Sequence, residues 1–161
     1  MRIISGIYKN HKLVSPNSDV THPMGERERL AIFNMIGDCN GKTVLDLFAG
    51  TGALGIEALS RGAAKATFVE MNPKALLCLK DNLSDIDGAR IIKLDAYKYD
   101  ETVSYDIIFV DPPYDKFDKE AVNFQRFLSE SGVMVLSSPE PIGPNSRKYA
   151  GCYITLIRKN K

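Results

Sequence analysis

The sequence predicts an α/β fold in which a parallel sheet is covered by helices on both faces. Two observations predict it. From Lys42 onward, short apolar runs of strand length alternate with segments of helical periodicity. The first of these runs is followed by a glycine-rich loop that opens a helix, which is typical of doubly wound sheets. Such sheets bind ligands at the carboxyl ends of their strands, so we expect the functional residues there.

The predicted elements occupy a single domain, residues 1–161, which is an ordinary length for one hydrophobic core. Residues 1–20 form an N-terminal extension, in which short apolar stretches around the turn-prone residues 8–10 predict a hairpin. A helix follows at about 25–36, and Gly37 can end it. The Rossmann-like core, residues 42–161, has predicted strands at 43–48, 65–70, 89–95, 105–111, 132–138 and 152–158, a short strand near 147–150, and helices at 51–61, from Pro73 to Leu83 and from Phe117 to Leu128.

Composition and cysteine usage exclude several classes of protein. No apolar run approaches the roughly 20 residues of a membrane span, and the N-terminus has no signal-peptide core, so we expect a cytoplasmic protein. Cys39, Cys78 and Cys152 are far apart and form no CxxC pair, which predicts reduced thiols. His11 and His22 lack partners at metal-ligand spacing, so we expect no metal. Nothing in the sequence indicates an obligate oligomer, and we expect a monomer.

The net charge of +1 conceals an uneven charge distribution. Residues 1–14 contain three basic residues and no acid, and residues 141–161 contain five basic residues and no acid. The two ends together carry +8, and residues 15–140 carry −7. If both ends fold onto one face, that face is basic and attracts phosphates; the alternative is that the ends are solvated tails.

The loop after the first strand is suited to a close approach of a ligand. Gly50 and Gly52 let the backbone turn tightly with no Cβ in the way, and the free N–H groups of the following helix favour electron-rich atoms. The GxGxxG pattern, with Glu70 20 residues after Gly50, matches both a dinucleotide site and an S-adenosylmethionine site. Asp46 favours S-adenosylmethionine, because a carboxylate there can face the cationic methionyl end and would repel a pyrophosphate.

Acidic side chains end three consecutive predicted strands. Glu70 can accept hydrogen bonds from ribose hydroxyls, and Asp95 can accept one from an adenine amino group. Taken singly, Asp46 could be a helix cap and the other two solvated strand ends, but acids after three consecutive strands indicate a cofactor site. The candidate cofactor-binding residues are Asp46, Phe48, Ala49, Gly50, Thr51, Gly52, Glu70, Met71, Asp95, Ala96 and Asp111.

The fourth predicted strand ends in Asp111, Pro112, Pro113 and Tyr114, the candidate catalytic residues. Two prolines fix the backbone and remove two donors, which leaves the Asp111 carboxylate and the Pro112 carbonyl as acceptors. The exocyclic amino group of a base needs such acceptors, because its lone pair is delocalised and must be aimed at the methyl group. Tyr114 can stack on the base. This pattern predicts methyl transfer to an exocyclic amine without distinguishing guanine N2 from adenine N6.

Several segments of the chain together resemble one known family. They are Arg2–Gly6 with Lys12-Leu13, Thr21–Pro23 leading into Arg27 and Ala31–Asn34, residues 45–63 with Asp46–Gly55 among them, and Asp111–Tyr114. Over nearly its whole length the chain is similar to the bacterial 16S ribosomal RNA guanine-N2 methyltransferases of the RsmD type. The similarity is most specific in residues 45–63 and in the N-terminal motif. Members of that family often carry an acid where this chain has Ser137-Ser138.

The resemblance implies a seven-stranded class I S-adenosylmethionine-dependent methyltransferase sheet with an N-terminal β-hairpin. It implies methylation of a guanine N2 in 16S ribosomal RNA within an assembling small ribosomal subunit, with the base unpaired or flipped into the pocket. The candidate RNA-binding residues are Arg2, Lys9, Lys12, His22 and Arg27. Three alternatives stay open: an adenine-N6 methyltransferase acting on DNA or RNA, a dinucleotide-dependent oxidoreductase, and a non-catalytic ribosome-binding protein.

Overall fold

The computed structural model describes residues 1–16 and 24–159. Residues 17–23, which include His22 and the end of the predicted hairpin, lie outside the described residues. The strands are β1 Thr43–Leu47, β2 Lys65–Glu70, β3 Ala89–Lys93, β4 Tyr105–Val110, β5 Leu128–Ser138, β6 Arg147–Lys148 and β7 Tyr153–Arg158, and the α-helices are α1 Glu26–Ile36, α2 Ala53–Ser60 and α3 Pro73–Asn82. The strands form one seven-stranded sheet, which confirms the predicted α/β class.

The strand order is β3-β2-β1-β4-β5-β7-β6. The first five strands pair in parallel, whereas β7 is antiparallel to both β5 and β6, so the sheet is mixed rather than wholly parallel. The chain moves outward from β1 to β3 and then returns to place β4 on the other side of β1. This reversal is the switch point at which open α/β sheets bind ligands, beyond the carboxyl ends of the strands.

The two faces of the sheet are covered differently. One face, which we call the helical face, packs against the α-helices through an apolar core that includes Phe33, Phe68 and Phe109. On the opposite face, a second apolar core is closed by the 3-10 helix Lys119–Phe127 and by aromatic side chains such as Tyr99. Both faces of the sheet are therefore buried, and the switch point lies at the carboxyl edge of the strands.

The predicted amphipathic α-helix from Phe117 to Leu128 is wrong. The segment forms a 3-10 helix that ends at Phe127, and Leu128 already belongs to β5, before the predicted start of that strand. The physical reason is the apolar spacing: Ala121, Phe124 and Phe127 recur at every third residue and are all buried. That period matches the three residues per turn of a 3-10 helix better than the 3.6 of an α-helix.

The predicted N-terminal hairpin is present as one antiparallel bridge between Arg2 and Lys12 rather than as two strands. The N-terminal segment is held on α2 instead. The Glu57 carboxylate accepts the backbone N–H groups of Ile4 at 2.8 Å and Ser5 at 3.0 Å. These bonds satisfy backbone donors that a strand ladder would otherwise satisfy, so the segment is ordered by its contact with α2.

Cys39, Cys78 and Cys152 are free thiols. Across residues 1–16 and 24–159, no helix is long and apolar enough to cross a membrane. In the same part of the chain, no group of three or more His, Cys, Asp and Glu side chains is placed to hold a metal ion.

Candidate active site

The loop after β1 turns through left-handed backbone conformations. The backbone angle φ is 60° at Phe48, 57° at Gly50 and 81° at Gly52. Such a φ is strained for a bulky residue, and strain of this kind concentrates at functional sites. Phe48 is held there by its ring, whose centroid lies 5.1 Å from that of Tyr97 and 6.4 Å from that of Phe124. A Cβ built on Gly50 would meet no atom closer than 4.0 Å, so open space lies in front of the loop.

Glu70, at the end of β2, supports this loop directly. One of its carboxylate oxygens accepts the N–H of Gly50 at 2.8 Å, and the other accepts the N–H groups of Met71 and Asn72, each at 2.8 Å. Hydrogen bonds to a charged acceptor are stronger than neutral ones. A carboxylate has about four acceptor sites, so these bonds leave capacity for a ligand hydroxyl. Glu70 therefore joins the glycine loop to the end of β2.

Asp46 is buried beneath the loop and accepts the N–H of Gly55 at 2.9 Å. Burial raises the pKa of Asp46 well above its ordinary value; the Gly55 bond opposes the rise, and the carboxylates of Asp111 and Glu70 add to it. Among the described residues, none of these three acids forms an ion pair. The crevice between the ends of β1, β2 and β4 thus contains three carboxylates that pair with no cation of the described residues, which suits a positively charged ligand.

Asp111 follows the last residue of β4, with Pro112 buried and Pro113 exposed after it. The parallel register of β1 and β4 brings Asp111 level with Phe48, so it borders the glycine loop. Burial raises the pKa of Asp111 to about 6, and a hydrogen bond with Ser137 opposes the rise. Asp111 is therefore ionised at neutral pH and can accept hydrogen bonds from an amino group.

Tyr114 is anchored through its hydroxyl group, which lies 2.6 Å from Ser137 Oγ. Ser137 is buried on β5, and either hydroxyl group can be the donor in the 2.6 Å bond. Burial raises the pKa of Tyr114 above its ordinary range, so the phenol stays protonated at neutral pH. Ser137 therefore positions two of the predicted catalytic residues. From the sequence, Ser137 is notable only because members of the similar family often carry an acid at Ser137-Ser138.

We expect Ser137→Ala to lower kcat about tenfold at neutral pH and to move the acidic limb of the pH–rate profile to higher pH. Loss of a hydrogen bond to a charged group costs about 1.5 kcal/mol, or roughly tenfold. The substitution also removes the contact that lowers the pKa of Asp111. Single-turnover rates across a pH series measure both effects. Ser138→Ala is the matched control, because Ser138 Oγ bonds the Glu140 carbonyl at 2.7 Å; an acidic limb that stays in place in Ser137→Ala would contradict the positioning role.

The remaining predicted cofactor residues follow β2 and β3. Met71 is 56% exposed at the end of β2, where an apolar ligand group can lie against it. The prediction that Asp95 ends the third strand is wrong, because β3 stops at Lys93. Asp95 instead caps a 3-10 turn by accepting the N–H of Tyr97 at 3.1 Å, and Ala96 is buried in that turn. Asp95 therefore lies two residues beyond the end of β3.

Asn82, at the end of α3, ties the N-terminal segment to the glycine loop. Its Nδ2 donates to the carbonyl oxygens of Val14 and Thr51, both at 2.9 Å, and its Oδ1 accepts the Val14 N–H at 2.7 Å. Met1 Sδ lies 3.9 Å from Thr51 Oγ1. The N-terminal segment therefore borders the site directly, beside the loop.

Four of the predicted RNA-binding residues lie in the described part of the chain. Arg2 and Lys12 are brought together by the antiparallel bridge, and Arg2 Nε also pairs with Glu26 at 3.0 Å. Lys9 and Arg27 are exposed. The basic N-terminal end is thus folded onto the protein beside the glycine loop.

The chain is a class I methyltransferase, a class that uses S-adenosylmethionine. Its defining features are the strand order, the glycine loop after β1, the acid at the end of β2 and the Asp-Pro-Pro-Tyr loop after β4. Within that class, the chain belongs to the family described as "Conserved hypothetical protein 95", whose profile matches residues 1–151. This confirms the resemblance predicted from the N-terminal motif and residues 45–63.

Relatives in other organisms agree with this assignment. A protein of Haemophilus influenzae named Ribosomal RNA small subunit methyltransferase D is 33% identical over 158 residues, which cover 92% of this chain and 77% of that protein. The solved structure of a hypothetical protein of Thermus thermophilus, TTHA0928, superimposes with a TM-score of 0.86 at 28% identity and covers 99% of each chain. A precorrin-6y C5,15-methyltransferase of Geobacter metallireducens GS-15 shares the fold alone, with a TM-score of 0.70 at 18% identity over 87% of this chain and 74% of its own.

Proposed function

We propose that the crevice between β1, β2 and β4 binds S-adenosylmethionine, which supplies an electrophilic methyl group on a sulfonium. The support is the charge of the crevice: the carboxylates of Asp111 and Glu70 lie close enough to Asp46 to add to the rise of its pKa, and among the described residues none of the three acids forms an ion pair. Asp46 would face the cationic methionyl end, Glu70 and the glycine loop would hold the ribose, and Met71 would lie against the adenine. The open space in front of Gly50 gives such a ligand room.

We propose that the protein methylates the N2 amino group of a guanine in 16S ribosomal RNA. The observation that carries this proposal is Asp111, ionised at neutral pH, at the start of a Pro-Pro loop beside the cofactor crevice. The Asp111 carboxylate and the Pro112 carbonyl accept the two N–H groups of the amine and aim its lone pair at the methyl group. After transfer the nitrogen is cationic, and its proton leaves readily to Asp111 or to water.

Tyr114 completes the base site in this proposal. Its ring is 39% exposed and is fixed by the bond to Ser137, so it offers a rigid face on which the target base can stack. Stacking of this kind contributes roughly 1–3 kcal/mol per base. The base must be unpaired or flipped to enter the site, which costs a few kcal/mol that stacking can offset.

The proposed substrate is an assembling small ribosomal subunit, and the proposed enzyme is a single-domain monomer that works in the cytoplasm. The N-terminal segment supports a contact with the substrate, because Asn82 joins it to the glycine loop through Val14 and Thr51. The free thiols of Cys39, Cys78 and Cys152 agree with a reducing compartment.

Nucleoside mass mapping of 16S ribosomal RNA from cells that lack the gene tests the proposed function. We expect one N2-methylguanosine to disappear, to return with the wild-type chain, and not to return with Asp111→Ala. Loss of an N6-methyladenosine instead would assign the enzyme to adenine. A ribosomal RNA modification pattern identical to that of wild-type cells would refute the ribosomal substrate.

The affinity for S-adenosylmethionine should rise with pH between 5 and 7, by about threefold more than the affinity for S-adenosylhomocysteine, which lacks the sulfonium charge. Asp111, with a pKa of about 6, is largely protonated at pH 5 and ionised at pH 7. A nearby cation favours the ionised form, so cation binding releases a proton and strengthens as pH rises. A charge–charge contribution of about 0.7 kcal/mol gives the roughly threefold ratio. Calorimetry across this pH range measures it, and parallel pH dependence for the two ligands would contradict it.

A further inference from the structure

A row of residues at the carboxyl end of β4 crosses four neighbouring strands. The register of β4 and β5 brings Asp111 level with Ser137. Ser137 pairs with Ile154 on β7, and Ile154 pairs with Arg147 on β6. Neighbouring strands lie about 4.8 Å apart, so three steps place the Arg147 backbone roughly 14 Å from that of Asp111. β6 is the edge strand of the sheet, so Arg147 lies at the edge of the sheet, at the same end as the candidate active site.

Arg147 also lies on the same face of the sheet as Asp111. Residues directly opposite each other in an antiparallel pair share a face, and Ile154, opposite Arg147, belongs to the core under the helical face. Phe109, two residues before Asp111, belongs to the same core. Because strand residues two apart share a face, Asp111 and Arg147 both belong to the helical face.

Tyr114 reaches along this row from the Asp111 end. Its hydroxyl group bonds Ser137, the second position of the row, and Ser137 is paired with Ile154 on β7. A base stacked on Tyr114 would therefore have its adjoining backbone near the ends of β5 and β7. The next side chains along the row are Ile154, which is buried, and then Arg147.

The other basic residues of the C-terminal end are placed differently. Lys148 is opposite Tyr153, the neighbour of Ile154, and so lies on the face away from Asp111. Arg158 pairs with Val133 at the far end of β7, away from the carboxyl end of β4. Lys159 pairs with Glu130 at 3.0 Å. In the part of the chain that the structure describes, Arg147 alone of these four basic residues shares both the end and the face of Asp111.

We propose that Arg147 binds a backbone phosphate of the RNA that flanks the target base. This inference rests on the proposed function, since it needs an RNA substrate whose base enters at Asp111. Arg147 is exposed, and among the described side chains no acid pairs with it. A guanidinium group presents a planar fork that matches phosphate oxygens and holds them with two hydrogen bonds. Single-stranded RNA with a splayed base exposes such a phosphate beside the base.

The test compares Arg147→Gln with Lys148→Gln, two adjacent exposed cations on opposite faces of one strand, and with Arg158→Gln at the far end of the sheet. Binding of the fluorescently labelled protein to 16S ribosomal RNA in small subunits that lack the modification is measured by fluorescence anisotropy across a salt series. We expect Arg147→Gln to weaken binding about tenfold at low salt and to reduce the slope of log K against log salt by roughly 0.7 to 1, the value of one phosphate contact. The two controls should stay within about twofold of wild type, and thermal melting should show all three variants folded.

Equal losses in Arg147→Gln and Lys148→Gln would overturn the contact, because a nonspecific charge effect does not depend on the face. An unchanged salt slope in Arg147→Gln would overturn it as well. The binding assay needs no methyl transfer, so these results are separate from the fate of the proposed function. If wild type binds this RNA with the expected Arg147 dependence but transfers no methyl group to it, the proposed reaction fails while the phosphate contact stands.

Discussion

Asp111→Ala should lower kcat by about 10³-fold or more while the affinity for S-adenosylmethionine stays within a few-fold of wild type. The carboxylate is the charged acceptor that holds the amine and stabilises the cationic nitrogen formed on transfer. Losing one such preorganised group costs about 10² to 10³ in rate, and here the same group also aims the nucleophile. Cofactor affinity changes little because Asp46 and Glu70 remain in the crevice. The loss of the Asp111 charge also removes one of the causes that raise the pKa of Asp46, which favours its ionised form. Single-turnover assays and calorimetry measure the two quantities.

Asp115→Ala is the matched control for this substitution, since Asp115 is an exposed acid four residues further along the same loop. Its activity should stay within about twofold of wild type. Asp111→Asn keeps one acceptor oxygen but no charge, so its rate should fall between those of wild type and Asp111→Ala. Turnover at the wild-type rate in Asp111→Ala would remove Asp111 from the mechanism.

Glu70→Ala should weaken S-adenosylmethionine binding by about 100-fold or more. The side chain accepts three backbone N–H groups from Gly50, Met71 and Asn72, and it would also hold a ribose hydroxyl. Its removal loosens the loop and deletes a ligand contact. Hydrogen bonds to a charged group contribute about 1.5–3 kcal/mol each, so the loss of one or two accounts for the factor. Calorimetric titration of the purified protein gives the dissociation constant.

Glu70→Gln separates the loop contacts from the charge. A glutamine oxygen can still accept from Met71 and Asn72, whereas its NH₂ group cannot accept from Gly50. Its affinity should therefore lie between those of wild type and Glu70→Ala. Affinity in Glu70→Ala equal to that of wild type would contradict the placement of the ribose beside β2.

The active end of the molecule could be predicted from sequence because its signals are local. Gly50 and Gly52 take left-handed backbone conformations, which favour glycine because it has no Cβ. Asp46 and Glu70 lie at strand ends that apolar runs define. The Pro-Pro pair marks the end of β4 in the same way. Parallel pairing then brings all three strand ends to one edge, so the crevice follows once the fold class is known.

The parts that sequence reasoning missed depend on sheet neighbours that are distant along the chain. Ser137 touches Tyr114 only because β5 lies beside β4. Arg147 lies level with Asp111 only because β7 is placed between β5 and β6 and is antiparallel to both. The helix predicted up to Leu128 is wrong for a different reason. There, apolar residues spaced three and four apart fit two kinds of helix, and burial against the sheet selected the tighter one.

The most direct test of the account is methyl transfer in a purified system. The protein is incubated with S-adenosylmethionine labelled in its methyl group and with small ribosomal subunits from cells that lack the gene, and the digested 16S ribosomal RNA is separated into nucleosides. The account predicts that the label appears in N2-methylguanosine with the wild-type protein and is absent with Asp111→Ala. Label confined to a ring nitrogen, to a carbon or to a ribose oxygen would contradict the claim that Asp111 and Pro112 bind an exocyclic amine for methyl transfer.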